Sequence, residues 1–278
     1  LQTGDDPYRH LLRIGIDGNG LTQLTHGPYD DISPCELPDG GIAFVSTRRF
    51  GYTVCQPGPA SNLYRLEADG TGLRCLSMNT LSDMSPQLLP DGRILFTRWE
   101  YVDRDLTYRQ SLWTTNADGT MYRLYFGNTI RDPGTFWQAR PLPGRSDRVI
   151  ATFAPHHGWP HGALGIIDVA RGPEEPQGVG FRWLTPEFPC IGDVSYEWSY
   201  RDPFPLREDV FLCAYGGGLS RFRIVVQNAA GAQRTLYEDP VFQSHMPIPL
   251  RAGEPSFLSA SRAPVPSPGR PVVPEDCP

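Results

Sequence analysis

Six histidines offer the chain its most versatile chemistry, and five of them fall in loops. The run Pro155-His156-His157-Gly158-Trp159-Pro160-His161 packs three imidazoles into a short stretch, and His245 lies in a later loop. Neutral imidazole is the commonest metal ligand, so His156, His157, His161 and His245 are candidate ligands for a zinc, manganese or iron ion. Pro160 excludes a helix there, so His157 and His161 do not share a helical face. A second set on related loops comprises Arg48, Arg49, Tyr52, Trp99, Tyr101, Asp103, Arg104 and Trp159. Arginine beside aspartate and aromatic rings suits an anionic or planar ligand. Both sets also have a plainer reading, as polar loops tied together by hydrogen bonds, stacking and ion pairs. Asp30, Asp31, Asp83 and Asp132 fit Asx turns that cap strands. The chain carries no G-x-S-x-G elbow, phosphate loop or H-E-x-x-H, so no catalytic set is complete and no catalytic residue is assigned.

The elements that must position these residues come from an internal repeat. Asp31-Ile32-Ser33-Pro34, then Leu37-Pro38-Asp39-Gly40, precedes an apolar run over 42–47. Asp83-Met84-Ser85-Pro86, then Leu89-Pro90-Asp91-Gly92, precedes 94–98, and a weaker copy aligns Gln138-Ala139-Arg140-Pro141 and Leu142-Pro143-Gly144-Arg145 before 149–153. The prolines at 38 and 90 are 52 residues apart, and Pro143 follows after 53. Asp17-Gly18, Asp69-Gly70 and Asp118-Gly119 interleave as a second turn family between alternating apolar runs, the strongest short hairpin signal. Two hairpins in about 52 residues make one four-stranded propeller blade. The predicted fold is therefore all-β, a propeller of four-stranded antiparallel blades over residues 1–260. The segments 11–16 and 21–24 supply an outer hairpin; 247–250 and 256–259 supply an inner one. Five blades are visible, with six or more expected if a segment precedes residue 1. Residues 261–278 carry six prolines and are expected to be an extended or disordered tail.

In such a blade the tight Pro-Asp-Gly and Asp-Gly turns emerge at one end. The long segments 25–31, 48–61, 100–110, 126–136, 155–162, 185–198 and 238–245 emerge at the other, with both candidate sets among them.

Composition narrows the alternatives. Gly and Pro, 29 each, leave little room for uninterrupted helices. No apolar run reaches the length of a membrane-spanning helix. All 25 basic residues are arginines, and a net charge of -6 with no basic stripe argues against a nucleic-acid partner. None of the six cysteines forms C-x-x-C, so no zinc ribbon or attached c-type haem is expected in this chain. Cys35, Cys75 and Cys213 fall in strand-like runs and read as buried free thiols. The opening Leu1-Gln2-Thr3-Gly4 has no Met and no signal peptide, as expected of a mature form or an excised piece.

The repeat S-P-x-x-L-P-D-G-x-I-x-F followed by N-L-Y-R-L-x-A-D-G resembles the TolB-like propeller repeat. Tyr200-Arg201-Asp202-Pro203-Phe204-Pro205-Leu206 and Pro247-Ile248-Pro249-Leu250-Arg251 narrow it further. They resemble the family related to the middle domain of the hydrazine synthase alpha subunit, over most of residues 8–255. That resemblance implies a non-catalytic scaffold or docking domain of a larger exported bacterial protein, periplasmic or secreted. Its partners would be proteins or flanking domains, and any haem would sit on domains outside this chain. Two alternatives stay open. Gln243 and His245 with the 156–161 run resemble the metal site of oligogalacturonate-lyase-type propellers, which would stabilise charge on a uronate. A TolB-like periplasmic binding protein would instead use its open face for peptides or proteins.

Overall fold

The computed structural model describes residues 6–49, 51–53, 58–100, 110–156, 160–186, 198–217 and 220–250. Among them there is no helix, and eighteen strands form consecutive antiparallel meanders. A hairpin comes first, β1 (Leu12–Arg13) with β2 (Thr22–Gln23). Unit 1 is β3 (Asp31–Glu36), β4 (Ile42–Ser46), β5 (Asn62–Leu66) and β6 (Arg74–Cys75). Unit 2 is β7 (Asp83–Leu88), β8 (Ile94–Trp99), β9 (Gln110–Thr115) and β10 (Arg123–Phe126). Unit 3 is β11 (Thr135–Pro141), β12 (Arg148–Ala154), β13 (Ala163–Asp168) and β14 (Phe181–Trp183). Unit 4 is β15 (Ser199–Pro205), β16 (Val210–Gly217), β17 (Ser220–Asn228) and β18 (Gln233–Tyr237). The first strand of unit 3 also makes one parallel bridge to the third strand of unit 2, Thr135 to Gln110.

The turns follow the chemistry expected of them. Asp39, Asp69, Asp91 and Asp118 each accept the backbone N–H two residues on, closing the tight end of each hairpin. Gly70 and Gly119 both have φ of 86°, a conformation that Gly adopts without penalty. A side chain at either would also press on the carbonyl of Leu24 or Leu76 in the preceding element. The hairpin thus supports unit 1 as unit 1 supports unit 2. Buried hydroxyls repeat the relation. Thr25, Ser77 and Thr185 accept the N–H groups of Leu11, Leu63 and Leu164. By this match β1 and β2 are the third and fourth strands of a unit.

Every first strand carries the same irregularity. Ser33, Ser85, Gln138 and Asp202 have φ between 52° and 55°, and the ladder slips by a residue at each. A non-glycine residue in this region costs about 1–3 kcal/mol, so the surrounding ladder must hold it there. Pro follows at 34, 86 and 203; in unit 3 the slot holds Ala139, two residues before Pro141, which sequence alignment had placed there. A leucine stands four residues on in each case, at Leu37, Leu89, Leu142 and Leu206. Met246 repeats the conformation, with φ of 55°, before Pro247 and Leu250. Residues 247–250 nevertheless form no strand, contrary to expectation. Pro247 and Pro249 have no N–H to donate, and the expected partner at 256–259 lies outside the described residues.

The core lies between units rather than within them. One apolar cluster joins the hairpin to unit 1, another joins units 1 and 2, a third units 2 and 3, and two more units 3 and 4. The largest is aromatic, with Phe126, Phe136, Phe153, Phe181 and Trp183 edge-to-face at 5.1–5.9 Å. Each such pair adds about 0.5–1.5 kcal/mol beyond burial. Large exposed apolar side chains concentrate at the two ends of the row: Ile14, Ile16 and Leu21 at one, and Leu236, Tyr237, Val241, Phe242, Met246, Ile248 and Leu250 at the other. Cys35 and Cys213 are buried free thiols and Cys75 is a half-buried one.

Candidate functional site

Strand order sets the described candidate residues at the ends of the second strands, in the loops that follow them and in the loop after β18, where they divide among three places. In unit 1, Arg48 Nη2 donates to Asp31 Oδ2 at 2.7 Å, and both side chains are buried. The guanidinium lies 5.3–5.9 Å from the ring centres of Tyr29, Phe44 and Tyr64. A planar, weakly hydrated cation suits such a cage. Asp31 Oδ1 and Arg48 Nη1 are buried without a partner. Asp31 is therefore the counter-ion of Arg48 rather than an Asx cap. A cavity of about 190 Å³ opens beside the pair, lined by Leu24, Thr25, His26, Tyr29 and Leu66.

Arg49 is spent on a different contact, donating to the carbonyl of Asn79 at 2.7 Å. Asn79 is a buried hub whose amide reaches the carbonyls of Ser82 and Trp99 and the Oδ1 of Asp83. Asp83 is fully buried, and that burial pushes its carboxyl up to about 6, against the opposing pull of Ser77, Arg98 and Asn79. Tyr52 lies on the surface, bridged to Pro59.

The second place lies between units 2 and 3. The His156 ring meets the buried Trp99 edge-on at 5.3 Å, and His156 Nδ1 is 3.1 Å from Gln110 Nε2. The third lies between units 3 and 4. His161 is buried, with Nδ1 hydrogen-bonded to Ser199 Oγ and its ring against Phe222. Burial, and then the Arg201 charge, hold its pKa below the ordinary value, so the imidazole is neutral. His245 is half exposed, with Nδ1 3.8 Å from Asp202 Oδ2. Tyr101, Asp103, Arg104, His157 and Trp159 lie outside the described residues. Among the described residues no three of His, Cys, Asp and Glu come together as metal ligands. His156 and His161 are close in sequence, yet they turn toward neighbours on opposite sides of unit 3.

Sequence reasoning missed the centre of the row. Contacts between β3 and β7, β7 and β11, and β11 and β15 set successive first strands side by side. Gln138 Oε1 accepts the Asp202 N–H at 2.9 Å, linking the bulges of units 3 and 4. Asp202 Oδ2 in turn accepts Arg201 Nε and the N–H of Met246. The signal was available as a residue followed by Pro or Ala and, four positions on, by Leu, repeated five times.

No known family profile matches the chain. It is 22% identical over 297 aligned positions to hydrazine synthase subunit alpha of Kuenenia stuttgartiensis, across 86% of this chain and 35% of that protein. The chain thus spans about a third of the length of that curated relative. A solved chain of the Kuenenia stuttgartiensis hydrazine synthase superposes with a TM-score of 0.69 at 23% identity, covering 85% of this chain and 36% of its own. Tricorn protease gives 0.54 at 10% identity, over 85% and 21% of the two chains. TolB from Acinetobacter baumannii gives 0.48 at 12% identity, over 85% and 61%. In sequence and in fold, then, this chain is similar to about a third of the hydrazine synthase alpha subunit.

Proposed function

We propose that the chain is a β-propeller serving as a non-catalytic scaffold or docking domain of a larger exported protein, periplasmic or secreted. The propeller reading rests on four-stranded meanders in sequence order, first strands side by side, and apolar clusters between successive units. The hairpin β1–β2 matches the outer half of a unit, and Met246 to Leu250 repeats the start of an inner half. Each resembles half of a further unit.

The observation that carries the functional reading is the fate of the candidate side chains. Arg49, His156 and His161 are spent on contacts with a neighbouring unit or the loop leading to it, and Arg48 on an ion pair inside unit 1. Such an arrangement stiffens a platform and leaves its rim for partners. Among the described residues no helix is long and apolar enough to cross a membrane.

The test compares backbone hydrogen exchange of the isolated chain with that of the native assembly purified from its source. Protection of segments 25–31 and 126–134 in the assembly is the expected result. Equal exchange in both overturns docking at this end. Turnover of oligogalacturonate by the isolated chain, with a stoichiometric metal, overturns the non-catalytic reading.

A further inference from the structure

Arg140 lies on β11 just past the bulge, paired across the ladder with Ile150. Its guanidinium stacks on Phe204 of β15, with Cζ 5.0 Å from the ring centre. The group is half-buried, and burial lowers its pKa, opposed by Cys35 of β3 and Asp202 of β15. Arg140 and Phe204 stand on adjacent first strands, so the guanidinium lies between units 3 and 4. Neither supplies a free counter-charge. Burial pushes the Cys35 thiol up to about 11, so it stays neutral. The Asp202 carboxylate is already hydrogen-bonded to Arg201 and to the Met246 N–H. Among the described residues no carbonyl or carboxylate accepts a hydrogen bond from Arg140.

A guanidinium has five N–H donors and cannot shed its charge, and the Arg140 nitrogens are not among the buried partnerless atoms, so they stay open to solvent and to a ligand. Phe204 packs against the group, and its N–H donors are unspent among the described residues. That planar fork matches the two oxygens of a carboxylate. Two residues earlier, Gln138 Oε1 accepts both Thr152 Oγ1 and the Asp202 N–H. The oxygen is thereby fixed in place, and the Gln138 amide NH₂ remains as a second donor. We infer that the centre of the row, at Arg140 with Gln138, is a binding site for a small carboxylate.

The test is calorimetric titration of the 278-residue chain with sodium formate and sodium acetate at constant ionic strength, beside chloride, nitrate and phosphate. The unaltered chain is expected to bind formate or acetate, with chloride, nitrate and phosphate failing to compete. Arg140→Gln is expected to bind about ten- to a hundredfold more weakly, and Arg140→Lys to lie between. Should Arg140→Gln misfold, the Arg140 Nε–H resonance of the unaltered chain is followed instead; a saturable shift with formate is expected. Undiminished affinity in a folded Arg140→Gln chain, no binding of either carboxylate, or preference for phosphate or nitrate overturns the site.

Discussion

Asp83→Asn separates the cost of a buried charge from the value of the hydrogen bonds around it. The Asp83 carboxyl starts β7 with no exposure, and burial raises its pKa from 3.8 to about 6. A rise of about two units penalises the ionised form by roughly 3 kcal/mol in the folded protein. The unfolded chain ionises near 3.8 and the folded one near 6. Between those values the folded state holds the extra proton, so this residue's contribution falls as pH climbs through that window and levels off above it. Asn keeps the shape and the acceptor oxygen that Asn79 uses, and it carries no proton to lose. The stability of Asp83→Asn relative to the parent should therefore rise by up to about 3 kcal/mol between pH 4 and pH 7.5. Urea unfolding of both proteins across that range reads the difference, a midpoint change on the order of 1 M at ordinary slopes. Titrations common to both chains cancel in the comparison. A difference that does not vary with pH, or an Asp83 carboxyl carbon that titrates near 3.8 by NMR, would refute the reasoning.

Two further substitutions probe contacts inside single units. Arg48→Met strips buried Asp31 of its only cationic partner among the described residues, so about 3–5 kcal/mol of stability should be lost by chemical denaturation, with Asp31→Asn restoring most of it in the double variant. Gly165→Ala places a methyl inside the envelope of the Phe153 ring, which the surrounding aromatics hold still; a loss of about 1–3 kcal/mol is expected, relieved by Phe153→Leu.

Turns and strands were legible because local chemistry decides them. Asp-Gly pairs close hairpins wherever they stand, and the interval near 52 residues declared the unit. The ion pair of Arg48 with Asp31 was not legible, since it depends on which side chains the ladder from Asp31 to Ser46 brings together. For the same reason Asp31 and Asp83 read as turn formers while the structure buries both. The 156–161 histidines show the limit of counting along a chain. His156 turns toward Gln110 of unit 2 and His161 toward Ser199 of unit 4, so sequence proximity did not become spatial proximity. The bulges escaped notice because Ser, Gln, Asp and Met have no shared chemistry; only the residues after them repeat.

The apolar side chains at the two ends of the row have a colloidal consequence. Each end resembles a cut face of the stack, with Ile14 and Ile16 on one side and Phe242, Ile248 and Leu250 on the other. Faces of that kind permit head-to-tail contact between copies, which extends without limit unless the rotation closes. A net charge of -6 keeps copies apart at low ionic strength. Added salt screens that repulsion while leaving the apolar contact intact. Dispersal in solution is thus governed by ionic strength wherever the two ends are left uncovered.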